Sequence, residues 1–128
     1  FLPLQQAAIK ALQCDDQWFH QLNNMYASRK KLAAQIMERL GCKFSTDQSG
    51  LFLWAKVSDS VEHVSTWIDE ILYQTKVFIT PGFIFGSNGD RYIRISLCAS
   101  EEKLKEALQR IDLFMQERNE AKQVKEVV

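Results

Sequence analysis

One arginine stands out among the residues that could do chemistry, because it interrupts an otherwise aliphatic strand. Residues 92–97 read YIRISL, and their alternation places Ile93 and Ile95 on one face and Arg94 on the other. A planar guanidinium can hold a carboxylate through two parallel hydrogen bonds. Arg94 is therefore a candidate anion-binding residue. On the alternation alone, a solvent-facing arginine in a cross-strand ion pair is the favoured alternative.

The glycine-rich stretch before this strand could suggest phosphate binding. Residues 82–89 read GFIFGSNG, which matches neither GxGxxG nor a P-loop, and no basic residue stands at the required place. A hairpin connection is favoured, and Asn88-Gly89 predicts a type I′ turn. The nearby aromatic residues could line a pocket or fill a core, and a core is favoured: Phe78, Phe83, Phe85 and Tyr92.

Other chemistries find little support in the sequence. Cys14, Cys42 and Cys98 are widely spaced, form no zinc pattern, and are interpreted as reduced thiols. His20 and His63 each stand alone in a helical pattern, and His63 is predicted at the surface. Neither a carboxylate pair nor a Ser/His/Asp set can be identified. No catalytic residue and no metal ligand is therefore predicted within this chain.

Length and charge narrow the possible classes of protein. A chain of 128 residues is long enough for one packed domain, and sixteen basic residues balance sixteen acidic ones. This balance gives no reason to expect nucleic acid or an anionic membrane as partner. No apolar run of about 18 residues indicates a membrane span. Because the first residue is Phe1 and no signal peptide is visible, we expect an excised domain of a cytoplasmic protein.

Four helices are predicted from apolar residues at helical spacing. The first covers residues 3–12; the second is long, begins at an Asp15 or Asp16 cap and stops at Gly41. Its basic run 28–31 is interpreted as a solvated face, with contact to another domain as the alternative. The third opens at an Asp59–Glu62 capping box, and the fourth follows Ser100, with a charged tail from residue 117 that extends the helix or frays.

Several strands lie between these helices. Residues 51–57 read LFLWAKV, an apolar run that predicts a central strand buried on both faces. Residues 42–45, 77–80, 83–86 and 92–97 are the further strand candidates, and residues 46–50 form a polar turn. The order of elements predicts an α+β fold, in which helices cover one face of a small, largely antiparallel sheet.

Five segments, in the right order and at the right spacing, resemble the C-terminal part of the class I/II aminotransferases, which are fold type I enzymes that use pyridoxal phosphate. They are residues 4–12 (LQQAAIKAL), 26–32 (YASRKKL), 50–55 (GLFLWA), 80–86 (TPGFIFG) and 92–97 (YIRISL). The likeness covers nearly the whole chain. It implies the small domain of such an enzyme, with the long second helix as the linking helix.

The resemblance assigns roles to particular residues. In that family the arginine of the last strand binds the substrate α-carboxylate, and Arg94 matches it because it stands between two aliphatic residues and precedes Ser96. Arg91 belongs to the turn and does not take this role. Phe83 would lie near the substrate side chain. The partners implied are an amino acid and a 2-oxo acid, and the full-length enzyme would be a homodimer.

The resemblance also implies what this chain leaves to another part of the protein. The family's Schiff-base lysine and its pyridoxal-phosphate-binding groups lie in a large domain before Leu4. Residues 1–14 would be a remnant of the segment after that domain, and residues 15–128 the small domain, inactive alone and without bound cofactor. Two alternatives stay open: a free-standing α+β ligand-binding or regulatory module, and a lyase on the same scaffold.

Overall fold

The computed structural model describes the backbone of residues 1–126 and the side chains of residues 1–121, and it confirms the predicted α+β class. The fold has four α-helices and a small sheet of three strands, and the second, third and fourth helices pack against one face of that sheet. In chain order the elements are α1 (Leu2–Leu12), α2 (Asp16–Arg39), β1 (Phe52–Lys56), α3 (Val64–Thr75), β2 (Thr80–Pro81), β3 (Tyr92–Ser96) and α4 (Glu101–Glu126). Within this part of the chain, no helix combines the length and hydropathy needed to cross a bilayer.

The sheet is antiparallel, with strand order β1-β3-β2. Arg94 pairs with Trp54 of β1 on one side and with Thr80 of β2 on the other. The prediction that the run 51–57 forms the central strand is wrong: β3 is central, and within residues 1–126 no further strand pairs with the outer side of β1, where Lys56 forms an isolated backbone bridge with Lys43. This single bridge is also all that forms of the predicted strand 42–45.

The prediction that β1 is buried on both faces is also wrong. Leu53 and Ala55 are buried, whereas Phe52 is 37% exposed. The run appears continuous because aromatic residues occupy its outward positions. These outward rings, Phe52 and Trp54, contact Arg94 rather than the core.

The core lies between one face of this sheet and the helices. Inward side chains of β1 and β3 are packed with those of α2, α3 and α4. Burial of these aliphatic groups is the main stabilising term for the domain. The largest fully buried side chains are Ile36, Met37, Leu53, Val57, Ile71, Ile93, Leu97 and Ile111.

Three helix ends follow the predicted local chemistry: the start and the end of α2 and the start of α4. The Asp15 carboxylate accepts a hydrogen bond from the Trp18 amide at 2.8 Å at the start of α2, and the chain leaves α2 through Gly41 at φ +68°. At the start of α4 the Lys103 amide donates to the Ser100 hydroxyl at 3.4 Å. Hydrogen bonds from its own backbone amide and from Ser100 lower the pKa of the Glu102 carboxyl. The tail from residue 117 extends this helix to Glu126.

The predicted start of the third helix is wrong. Helix α3 begins at Val64 after His63, and no capping box forms: the Asp59 carboxylate lies 3.7 Å from the Lys56 ammonium instead. The physical reason is Arg91, whose guanidinium donates to backbone carbonyls in this segment and holds it as a loop. His63 is exposed, as predicted.

The connection between β2 and β3 is not the predicted type I′ hairpin, and no strand forms over residues 83–86. Strand β2 comprises Thr80–Pro81, and two short 3₁₀ turns follow, Gly82–Phe85 and Ser87–Gly89. Neither Asn88 nor Gly89 has a positive φ, which a type I′ turn requires at both positions. The backbones of Gly82 and Gly89 instead approach so closely that a β-carbon on Gly82 would lie 2.5 Å from the Gly89 carbonyl oxygen.

The basic run of α2 is not simply a solvated face. The Arg29 guanidinium donates to the Leu97 carbonyl at 3.1 Å, and the Lys30 ammonium donates to the carbonyls of Thr46 and Gln48 at 2.6 and 2.5 Å. Of these three basic residues, Lys31 is exposed, whereas Arg29 and Lys30 are partly buried. Arg29 and Lys30 therefore fasten α2 to the residue that follows β3 and to the loop that precedes β1.

Candidate functional site

The face of the sheet opposite the helices is the only one from which a strand side chain can meet a ligand. Because Ile93 and Ile95 are buried under the helices, strand alternation places Arg94 on the open face. Phe52 and Trp54 of β1 share this face with it. The sequence-based prediction that Arg94 points away from the helices is confirmed.

Aromatic rings surround the Arg94 guanidinium. Its central carbon lies 4.0 Å from the ring centroid of Phe52, 4.3 Å from that of Phe85 and 5.9 Å from that of Trp54. Trp54 and Phe85 also meet edge to face at 5.4 Å. Each ring attracts the cation through its quadrupole, so the cluster holds the charge without neutralising it.

Arg94 has no anionic partner in the described part of the chain. No carboxylate there lies within 4.0 Å of its guanidinium, and its direct cross-strand neighbours are the uncharged Trp54 and Thr80. The cross-strand ion pair, the alternative favoured by alternation alone, is therefore absent from residues 1–121. A half-buried cation without a counter-ion is the kind of group that binds an anion from outside.

The nitrogen atoms of Arg94 are not equivalent. Nε is buried and has no hydrogen-bond partner among the described residues. The two terminal nitrogens, Nη1 and Nη2, make no hydrogen bond there either, but unlike Nε they are not fully buried. The accessible part of the guanidinium is thus the pair of Nη groups, whose spacing matches the two oxygens of a carboxylate.

Arg91 has a different and structural environment. Its guanidinium donates to the carbonyl oxygens of Val61 at 2.6 Å, Ser58 at 2.8 Å and Glu62 at 3.3 Å. These bonds use its donors within the fold. Arg91 is therefore bonded to the backbone of its own fold, whereas the Arg94 guanidinium has no hydrogen-bond partner or counter-ion within residues 1–121.

Phe83 lies apart from the guanidinium cluster. It is 42% exposed and lines a shallow depression together with His63, Asp90 and Arg91. Its predicted place near a substrate side chain stays a prediction. Phe85, two positions along, is the aromatic residue of this turn that contacts Arg94.

Sequence reasoning missed Phe52 and Trp54, and it favoured a place in the core for Phe85, which is 52% exposed and lies beside Arg94. A usable signal was present for the first two, since they alternate with Leu53 and Ala55 in β1 and therefore share a face. The contact with Arg94 required the strand order, which the sequence analysis had wrong. Phe85 reaches Arg94 because of the 3₁₀ turn Gly82–Phe85, which no local pattern of residues predicts.

A second concavity lies on the helical side, away from Arg94. It has a volume of about 420 Å³ and is lined by residues of α2, α3 and α4. Its two arginines are paired within the fold: Arg39 lies 2.9 Å from Asp112, and Arg118 lies 3.5 Å from Glu70. This cleft therefore offers no unpaired cation to a ligand.

The thiols and potential metal ligands form no reactive centre in the described region. Burial raises the pKa of the Cys42 thiol to about 12, so it is protonated and unreactive at neutral pH. Cys14 and Cys98 are also free. No group of three His, Cys, Asp or Glu side chains within residues 1–121 comes together as a metal site.

Comparison with known proteins shows which family this chain resembles. The family described as aminotransferase class I and II matches residues 2–111. An LL-diaminopimelate aminotransferase of Oleidesulfovibrio alaskensis is 32% identical over 87% of this chain, and transaminase BacF of Bacillus subtilis is 36% identical over 84% of it. The chain spans only 28% and 27% of the length of these two relatives.

Solved structures agree with the sequence matches. The apo-BacF structure from Bacillus subtilis superposes with a TM-score of 0.72 and 34% identity, covering 88% of this chain and 30% of that one. An aromatic aminotransferase from Pyrococcus horikoshii OT3 gives a TM-score of 0.76 and 27% identity, with 90% and 31% covered. The α+β arrangement found here is thus that of a portion of these larger proteins.

Proposed function

The chain belongs to the class I and II aminotransferases, and from this premise we propose that it is the C-terminal small domain of an enzyme that transfers an amino group from an amino acid to a 2-oxo acid. Arg94 binds the α-carboxylate of the substrate in this proposal. Residues 1–14 belong to the segment that follows a large domain, and residues 15–128 form the small domain.

The observation that carries this proposal is the unpaired state of Arg94 on the open face. A guanidinium with aromatic neighbours and no carboxylate within 4.0 Å among the described residues keeps its charge available. An α-carboxylate is planar and bidentate, so it fits two Nη donors in both charge and direction. The family match over residues 2–111 favours this reading over a free-standing regulatory module.

The chemical task of Arg94 is orientation. Binding the carboxylate at two points fixes the rotation of the substrate, and with it the direction of the bonds at its α-carbon. The aromatic rings limit the access of water to the guanidinium, which strengthens its attraction for the anion. These are binding and positioning roles, and they need no titratable group of this chain.

The groups around Arg94 do not by themselves fit pyridoxal phosphate, the cofactor of the family. Its phosphate needs several convergent N–H donors and its aldehyde needs a lysine amine, whereas the contacts of Arg94 are aromatic. Lys56, on the same face of the sheet, lies 3.7 Å from Asp59. We therefore assign cofactor binding to the large domain and expect the 128-residue chain alone to be inactive.

The exposure of α1 supports a missing neighbour. None of its residues is buried, and Leu2, Leu4 and Leu12 are 64, 68 and 85% exposed. An apolar helix in this condition is normally covered. In our proposal the large domain covers it, and the complete enzyme is a homodimer.

The test is the substitution Arg94→Ala in the complete gene product. Loss of a buried charge-assisted pair with the carboxylate should cost about 2–5 kcal/mol in kcat/KM for amino-acid substrates. Arg94→Lys should recover little, because a point charge cannot replace a bidentate donor. The measurement is steady-state transamination across the common L-amino acids.

Arg39→Ala is the matched control, because it removes an arginine from the helical side and should leave turnover unchanged. Unaltered turnover in Arg94→Ala would rule out the assignment. Turnover of amino acids without transfer to any 2-oxo acid would instead indicate lyase chemistry on this scaffold.

A further inference from the structure

We propose that Phe85 is a positioning residue for the carboxylate site, held in place by the close approach of Gly82 and Gly89. Its ring and that of Phe52 fix the Arg94 guanidinium so that only its Nη edge meets the ligand. The inference rests on the proposed role of Arg94 and adds to it a specific device for orientation.

The first step is the arrangement of the two rings. The centroids of Phe52 and Phe85 lie 4.0 and 4.3 Å from the same guanidinium carbon. Because both rings pack against the guanidinium, they restrict its rotation about the side-chain bonds.

The second step is the state of Nε. This atom is buried without a hydrogen-bond partner in the described chain, an arrangement that is normally costly. Contacts with the rings offset part of that cost through the cation–π attraction. Because Nε is closed to the ligand, a carboxylate must bind end-on to Nη1 and Nη2, and this defines a single approach.

The third step is the support of Phe85 itself. The residue ends the 3₁₀ turn Gly82–Phe85, and the next turn follows directly, with the Gly86 amide donating to the Phe83 carbonyl at 3.1 Å. The loop closes where Gly82 meets Gly89. A β-carbon on Gly89 would overlap the carbonyl of Gly82, so both positions require glycine.

The fourth step links this loop to β1. The Phe85 and Trp54 rings make a T-shaped contact with their centroids 5.4 Å apart, and Trp54 is the cross-strand neighbour of Arg94. Phe85 is thus held from both sides, by its own closed loop and by the sheet. Opening the loop should move the ring away from the guanidinium without unfolding the helical core.

The direct test measures exchange of the Nε proton of Arg94 in the ¹⁵N-labelled chain. The resonance is assigned by its disappearance in Arg94→Lys, and the Arg91 resonance in the same spectrum is the internal reference. Phe85→Leu should accelerate Arg94 exchange by about tenfold or more, as expected for opening a buried polar atom to water. Phe85→Tyr, which retains the ring, should keep the slow exchange.

Gly89→Ala provides the second variant, because it leaves the ring intact and disturbs only the loop. It should accelerate Arg94 exchange as Phe85→Leu does, while the circular dichroism spectrum retains the helical signal. Slow exchange of the Arg94 proton in both folded variants would overturn the proposal.

The functional test uses the complete gene product with the L-amino acid it converts fastest. Phe85→Leu should raise KM by about 5- to 30-fold, the equivalent of one cation–π contact, with kcat nearly unchanged. Tyr73→Leu, a similar change at a 72% exposed site on α3, is the control and should alter neither constant.

The outcomes separate this inference from the proposed function. If Arg94→Ala weakens the enzyme and Phe85→Leu leaves KM unchanged, the positioning role is wrong and the role of Arg94 stands. If Arg94→Ala has no effect, the proposed function fails first, and the inference about its ligand fails with it.

Discussion

Arg91 and Arg94 stand on either side of the start of β3 and meet opposite kinds of neighbours. Arg91 donates to three backbone carbonyls, whereas Arg94 lies among aromatic rings. A guanidinium has five donors, and where those donors go determines whether it holds the fold or binds a ligand. At the scale of single residues, we therefore predict that substitution of Arg91 lowers stability and that substitution of Arg94 lowers ligand binding.

Arg91→Ala should destabilise the domain by about 1–3 kcal/mol, because the carbonyls of Val61 and Glu62 lose the Arg91 donor and the Ser58 carbonyl keeps only the Val61 amide. The free energy of unfolding in urea measures the loss. Arg39→Ala is the control, since its ion pair is 61% exposed on the arginine side and contributes about 1 kcal/mol or less. Equal stability of Arg91→Ala and wild type would contradict a structural role.

At the scale of the elements, the outer edge of β1 has an unusual partner. The Gln48 side-chain amide accepts from the Trp54 amide at 2.8 Å and donates to the Trp54 carbonyl at 2.7 Å. It thereby imitates a neighbouring strand at one residue. Because Lys30 of α2 holds the Gln48 carbonyl, the helix, the loop and the strand beside Arg94 form one connected unit.

Gln48→Ala should lower the free energy of unfolding by about 1–3 kcal/mol, because both polar groups of Trp54 lose a partner. Urea unfolding followed by tryptophan fluorescence is suitable, since Trp54 reports on this edge. Gln35→Ala, an exposed change within α2, is the matched control and should be neutral or slightly stabilising. An unchanged urea midpoint in Gln48→Ala would show that the two hydrogen bonds between Gln48 and Trp54 do not contribute to stability.

The element boundaries show where sequence reasoning is reliable. The span of α2 and the alternation of β3 were predicted because their signals are local: a cap at Asp15, a glycine stop at Gly41 and a strict period of two. The start of α3 and the turn at Asn88 were mispredicted. At the start of α3, hydrogen bonds from Arg91 override the local helix signal. At Asn88, the close approach of Gly82 to Gly89 overrides the local turn preference.

At the scale of the whole molecule, a single core joins the sheet to three helices. Cys42 belongs to this core, at 8% exposure, and burial raises the pKa of its thiol to about 12 from an ordinary value of 9.0. A raised pKa in the folded state favours the protonated thiol. The unfolded chain therefore loses its proton first as the pH increases.

Ionisation of Cys42 should consequently have no effect on the free energy of unfolding below about pH 9. Between pH 9 and 12 that free energy should fall, because only the unfolded thiol ionises there. The measurement compares the pH dependence of the free energy of unfolding in wild type and Cys42→Ala. The variant should have the shallower alkaline slope, whatever its absolute stability. Equal slopes of unfolding free energy against pH in the two proteins would mean that burial does not raise the pKa of the Cys42 thiol. Fast reaction of Cys42 with a thiol reagent at neutral pH would mean the same.

The sequence by itself determined the α+β class, the long second helix and the outward direction of Arg94, because caps and periodicity act over a few residues. Only the tertiary structure decided that β3 lies at the centre, that Arg94 has aromatic rings in place of an ion pair, and that Phe85 reaches it. Strand order and loop closure depend on contacts between residues far apart in the chain. Their energies are set by packing, which no local pattern of residues records.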